Sequence, residues 1–109
     1  MPLNQEIIEF LDARRRAALP EIWEAPIYTV RKNLEKRPLL SGDLENIYEI
    51  EHKFITGPTA ELPIRIYRPH WHKPLPALIY FTGGGWVLNS LDIYEQALRS
   101  LANKGQLIV

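Results

Sequence analysis

ALIYFTGGGWVLNS, residues 77–90, joins an apolar run to three consecutive glycines and a serine. The run Ala77–Phe81 does not alternate. It predicts a strand covered on both faces, the pattern of a central strand in an α/β sheet. Glycines placed directly after such a strand let the chain turn sharply. They also bring backbone N–H groups against a ligand with no side chain between. Downstream, Ser90 predicts an N-cap, and Leu91, Tyr94, Leu98 and Leu101 recur at helical spacing before Lys104-Gly105. QLIV, residues 106–109, starts another apolar strand. Strand, helix and strand together predict a βαβ unit.

Upstream the period is two. In residues 46–55, Tyr48, Ile50, His52 and Phe54 fall on one face, and Glu49, Glu51 and Lys53 on the other. Gly57-Pro58 marks a turn. In residues 62–69, Leu62, Ile64 and Ile66 read as inward and Arg65 and Tyr67 as outward, so the two runs predict an antiparallel hairpin. The first 40 residues read as two helices. Asn4 caps the first, with Ile7, Ile8 and Leu11 on one face, and Pro20 marks its end or the linker beyond. Pro26 opens the second, with Ile27, Val30 and Leu34 as its stripe, and Arg37-Pro38 and Ser41-Gly42 close it. The run Arg14-Arg15-Arg16 reads as a solvated helix face rather than a phosphate site.

Composition narrows the function classes. A hydrophobic content of 46% permits a core, and 109 residues suit one small domain. Thirteen basic residues balance thirteen acidic ones, which removes the field expected of a nucleic-acid binder. Cysteine is absent, so thiol nucleophiles, thiolate metal sites and disulfides are excluded. The N-terminus lacks the pattern of a signal peptide, and no apolar run approaches the roughly 18 residues of a membrane span. The expectation is a cytoplasmic protein that engages neither nucleic acid nor membrane.

The glycine run has several candidate ligands. A P-loop requires Gly-Lys-Ser/Thr where Trp86-Val87 stands, and a dinucleotide fingerprint requires glycine where Leu88 stands; both patterns fail. An oxyanion loop, with two N–H groups aimed at one point, remains open beside a glycine turn with no ligand. Of the histidines, His52 reads as a strand residue. His70 and His72 flank Trp71 without a third metal ligand at defined spacing. No metal site and no cofactor are expected. Trp86 and Trp23 suit either an acyl pocket or packing.

LPIRIYRP followed by a proline-bearing loop and PALIYFTGGGWVLNS resembles the hormone-sensitive-lipase-like branch of the α/β-hydrolase superfamily. The family carries R-x-Y-x-P, here Arg65, Tyr67 and Pro69, and then H-G-G-G-[WF], here Thr82, Gly83, Gly84, Gly85 and Trp86. The resemblance covers about residues 20–109 and is specific in its second half. It implies an α/β architecture of N-terminal cap helices (1–40) and the first strands of an α/β-hydrolase core (41–109): a hairpin, then βαβ. It implies a carboxylesterase or lipase acting on a small-molecule ester. Gly83, Gly84 and Gly85 map onto the oxyanion loop, the last two as donors, and the N-terminal helices onto part of the acyl pocket. Two positions depart from the pattern: the family histidine that braces the loop is Thr82, and the glycine before the serine is Asn89.

The family nucleophile sits in a G-x-S-x-G elbow. Ser41, Ser90 and Ser100 all lack those flanking glycines, and the triad Asp and His come later still in the family order. The chain alone is therefore expected to be inactive, with no catalytic residue of its own and an incomplete sheet. Its apolar edge at Ala77–Phe81 is expected to promote self-association. Three readings follow: part of an ester hydrolase, a non-catalytic acyl-binding relative, or a non-functional product of an interrupted gene.

Overall fold

The computed structural model describes residues 2–18, 21–35 and 42–109. Two compact units divide the chain, residues 1–30 and 31–109.

In the first unit, α1 (Gln5–Arg16) begins where the Asn4 side chain accepts a hydrogen bond from the Glu6 N–H, the expected cap. Arg14, Arg15 and Arg16 lie at its C-terminal end, where they oppose the helix dipole. Arg15 pairs with Asp12 at 3.1 Å and Arg14 with Glu21 at 3.6 Å, both exposed, so the run is a solvated face as its sequence predicts. No residue of α1 is buried. The expected end of this helix at Pro20 lies outside the described residues. So do the closing signals of the next helix, Arg37-Pro38 and Ser41.

Helix α2 (Ile27–Leu34) carries its stripe as Val30 and Leu34, both buried, while Ile27 is half exposed. The hairpin follows in the second unit as β1 (Glu49–Thr56) and β2 (Glu61–Arg68). Its turn closes through the Gly57 N–H donating to Ala60 O at 3.0 Å. A Cβ on Gly57 would stand 2.5 Å from that same oxygen, so the tight closure requires glycine.

The register corrects the face assigned to β2. Ile50 pairs with Tyr67 and His52 with Arg65, and directly opposed residues share a face. The inward face of β1 at Ile50 therefore coincides with Arg65 and Tyr67, not with Leu62, Ile64 and Ile66. Tyr67 is 1% exposed and forms the core with Leu98 and Ala102, while Leu62 is exposed. Ion pairing is the physical reason. Arg65 can enter the inner face because carboxylates await it there. The inward reading of β1 holds only at its start, since His52 and Phe54 are exposed.

Helix α3 (Glu95–Gly105) covers this face with Leu98 and the fully buried Ala102. Leu101, expected in the buried stripe, stands at its exposed margin. Ser90 does not cap the helix. A 3-10 turn at Asp92–Tyr94 intervenes, and Tyr94 occupies the N-cap position without a side-chain bond that caps the helix. The helix ends at Gly105, as expected, but the left-handed residue is Gln106 at φ 51°. A Cβ at Gly105 would meet Leu107 Cδ2 at 2.9 Å, a side-chain tip that can shift to make room. The segment before β1 is tied to α3: Arg99 donates to Glu45 O at 3.0 Å and Asn103 to Asn46 O at 2.8 Å.

Four backbone bonds establish the sheet order beyond the hairpin. Tyr67 and Val109 exchange N–H···O bonds at 2.9 and 3.1 Å, an antiparallel pair. Leu78 N–H donates to Ile108 O at 2.8 Å and Ile108 N–H to Pro76 O at 2.9 Å, a parallel bridge centred on Ala77. The order is therefore β1, β2, the segment at 107–109, then the segment at 76–78. With α3 as crossover, this is the expected βαβ unit.

The expected burial of Ala77–Phe81 on both faces is not observed. Ile79 and Phe81 are exposed, Phe81 by 86%, and regular pairing stops after the bridge. A central parallel strand is held by neighbours on both edges. Among the described residues this one is bonded along the edge toward Ile108 alone.

Candidate functional site

The glycine loop leaves the end of the Ala77 segment and is shaped by its own carbonyls. Gly84 O accepts from Val87 N–H at 3.2 Å and from Leu88 N–H at 2.8 Å, one isolated helical turn. Closing that turn puts Gly84 at φ +140°, where a Cβ would lie 2.1 Å from Leu88 O. Gly84 is thus required by both backbone angle and space. Trp86 and Asn89 also take positive φ, 59° and 72°. Asn89 is among the residues that tolerate this region, so its replacement of a family glycine is accommodated as expected.

Side chains hold the loop at its start and its end. Asn89 Nδ2 donates to Gly83 O at 2.9 Å and to the Tyr94 hydroxyl at 3.1 Å; that hydroxyl donates to Gly83 O at 3.3 Å. At the far end Arg31 Nε and Nη2 both donate to Val87 O, at 3.0 and 2.8 Å. Thr82 is exposed and makes no side-chain hydrogen bond among the described residues, so the local bond its hydroxyl could have supplied is absent. The brace expected of the family histidine comes here from Asn89 and Tyr94.

Tyr94 is positioned in turn by the Arg65 network. Arg65 pairs with Asp92 at 2.6 Å and with Glu95 at 2.9 Å, and Glu95 also pairs with Arg99. The Arg65 side chain is 11% exposed. Burial alone would lower its pKa, but the hydrogen bond to Asp92 and the nearby Tyr67 oxygen outweigh this, so the guanidinium is held above its usual value. Burial pushes the Tyr67 phenol up. The Tyr67 hydroxyl lies beside the guanidinium without meeting hydrogen-bond geometry, and among the described residues neither it nor Arg65 Nε has a partner. The R-x-Y-x-P residues thus serve two ends. Tyr67 fills the core, and Arg65 fixes the turn that presents Tyr94 to the loop.

Arg31 and the loop from Thr82 to Asn89 line an open cleft of about 690 Å³. The N–H groups of Gly83, Gly84 and Gly85 donate to no acceptor among the described residues. All three predicted glycines therefore lie at one cleft with free donors. Trp86 lines the same cleft and is wholly exposed. His70 and His72 lie away from it and stack on each other, with ring centroids 5.6 Å apart. Among the described residues no group of three or more His, Asp or Glu could hold a metal. Arg31 was missed by sequence reasoning, since nothing near it in the chain signals a partner 56 residues away. Tyr94 was read only as part of a buried stripe.

No protein-family model matches the chain. It is 42% identical over 45 residues to the carboxylic ester hydrolase LipN of Mycobacterium tuberculosis H37Rv, covering 41% of this chain and 12% of that protein. It is 26% identical over 103 residues to an arylesterase of Saccharolobus solfataricus, covering 94% of this chain and 34% of that one. Among solved structures, an ester hydrolase from the metagenome of Lake Arreo matches the whole chain with a TM-score of 0.84 and 29% identity, over 36% of its own length. A hyperthermophilic esterase from the archaeon Pyrobaculum calidifontis matches the whole chain at 0.83 and 32% identity, over 33% of its length. The chain thus spans about a third of these structural relatives. Glycine loop, sheet order and relatives agree: the chain has the α/β-hydrolase fold and is similar to hormone-sensitive-lipase-like ester hydrolases over about a third of their length.

Proposed function

We propose that these 109 residues supply the oxyanion half of a carboxylic ester hydrolase active site. The observation that carries this is the row of unengaged N–H groups at Gly83–Gly85, on a loop braced at both ends. When an ester carbonyl is attacked, its oxygen becomes an alkoxide. Two N–H donors already aimed at that oxygen stabilise it without reorganising. One such donor contributes about 3 to 4 kcal/mol of transition-state stabilisation. Gly84 and Gly85 take the donor role, and Trp86 forms a wall of the acyl pocket. In this reading the first 40 residues supply the cap helices of the hydrolase and residues 41–109 the first part of its core.

The nucleophile belongs to a G-x-S-x-G elbow that this sequence does not contain, acting with His and Asp in the complete hydrolase. The substrate is a small-molecule ester met in the cytoplasm, and the open edge at Ala77–Phe81 drives self-association of the isolated chain. No helix among the described residues is long and apolar enough to cross a membrane.

Hydrolysis of p-nitrophenyl butyrate by the purified chain tests this reading. No turnover is expected. Turnover lost on Ser90→Ala would place the nucleophile within the chain and overturn it. A second reading, a binding relative without catalysis, is favoured by Thr82 at the position of the family histidine. The coding sequence past codon 109 separates the two: a G-x-S-x-G reading frame supports the hydrolase.

A further inference from the structure

The cleft carries a charge that oxyanion binding alone does not use. Among the described residues Arg31 is the one ionisable group lining it, and no carboxylate does. Arg31 spends Nε and one Nη2 proton on Val87 O, a neutral acceptor. Among the described residues its Nη1 protons and the second Nη2 proton have no acceptor, and it forms no ion pair. By contrast Arg65 and Arg99 are paired with carboxylates. The bond to Val87 fixes the guanidinium in the cleft wall. A cation held in place needs less ordering when a ligand arrives, and its planar fork matches a carboxylate.

Resting on the oxyanion reading of the same loop, we infer that Arg31 makes the cleft selective for ligands carrying an ionised carboxylate, with half-esters of dicarboxylic acids as its substrate class. The glycine N–H groups face the ester carbonyl, and the Arg31 fork takes the carboxylate. Neutral esters use the first set of donors and leave the second unused.

The test is a titration of the isotopically labelled chain, following the amide signals of Gly83, Gly84 and Gly85. The probes are monomethyl succinate, butyrate and ethyl butyrate. Monomethyl succinate is expected to bind about fivefold more tightly than ethyl butyrate, a difference of about 1 kcal/mol. Arg31→Gln removes the preference, and Arg31→Lys keeps part of it. Raising salt from 0.05 to about 0.5 M erases the preference in the unaltered chain, which tests the charge without any substitution. The butyrate arm separates product acid from substrate: Arg31-dependent binding of the half-ester assigns the site to substrate. Arg31-dependent binding of butyrate alone overturns the half-ester assignment. Equal affinities that ignore both Arg31 and salt overturn the inference while leaving the oxyanion loop standing. Glycine amides that respond to none of the three probes remove the oxyanion reading itself.

Discussion

Replacing Gly84 by alanine separates a loop built around one glycine from a loop that is merely flexible. The added Cβ would lie 2.1 Å from Leu88 O and 2.8 Å from the Leu88 carbonyl carbon, both backbone atoms. Neither can swing aside as a side-chain tip would. The angle, φ +140°, is one that L-residues rarely adopt. Such backbone strain costs about 1 to 3 kcal/mol. The turn therefore opens, and the bonds from Val87 and Leu88 to Gly84 O are lost, each contributing about 0.5 to 1.5 kcal/mol. At the neighbouring Gly85 nothing lies within 4 Å of an added Cβ, and φ is +59°. That substitution costs about 1 to 2 kcal/mol, the ordinary penalty of a left-handed residue. Amide exchange at Val87 and Leu88 reads the difference. Gly84→Ala is expected to raise their exchange at least roughly 30-fold, the equivalent of about 2 kcal/mol, and Gly85→Ala by a smaller factor. Equal effects of the two substitutions, or a larger effect of Gly85→Ala, would refute the account of how the loop is held.

Three further outcomes follow from the core and its ion pairs. Tyr67→Phe removes a buried hydroxyl that has no hydrogen-bond partner, so denaturant unfolding should show no loss of stability and up to about 1 kcal/mol of gain, while Tyr67→Ala costs about 3 to 5 kcal/mol. Arg65→Ala leaves Glu95 with Arg99 as its remaining partner. Unfolding should register a loss of about 2 to 4 kcal/mol, arising at Glu95 far more than at exposed Asp92, and the Asn89–Tyr94–Gly83 bonds should weaken with it. The Glu45 carboxylate is held below its ordinary pKa by hydrogen bonds from Ser100 and Asn103, and by Lys104. A depressed folded-state pKa adds stability that is present above the unfolded value of 4.5 and is lost as pH falls through the folded one. Stability of the chain should decline below pH 4.5, and Glu45→Gln should flatten that part of the profile.

What could be read from the sequence is what local chemistry dictates. The three glycines, the hairpin turn at Gly57 and the cap at Asn4 are positions where one residue type answers one backbone demand. The βαβ order was legible for the same reason: an apolar run, an amphipathic helix and a second apolar run admit few arrangements. The face of β2 was not legible. Alternation ranks Ile64 and Ile66 above Arg65 and Tyr67, yet the partners that bring Arg65 inward lie 27 and 30 residues downstream. Arg31 was hidden for the same reason, since its acceptor is a backbone carbonyl that no side chain announces. Ser90 failed as a cap because a 3-10 turn separates it from the helix that it was expected to start. Ala77–Phe81 was read as covered on both faces because its composition is that of a covered strand. The exposure of Ile79 and Phe81 shows that composition reports what a strand needs, while pairing decides what it has.

We propose that this chain is a working oxyanion half-site. Joining residues 1–109 to the complementary two-thirds of the Pyrobaculum calidifontis esterase tests it most directly. The account predicts hydrolysis of p-nitrophenyl butyrate by the chimera, reduced at least tenfold by Gly84→Ala through kcat. A chimera that unfolds cooperatively yet hydrolyses no ester would contradict it.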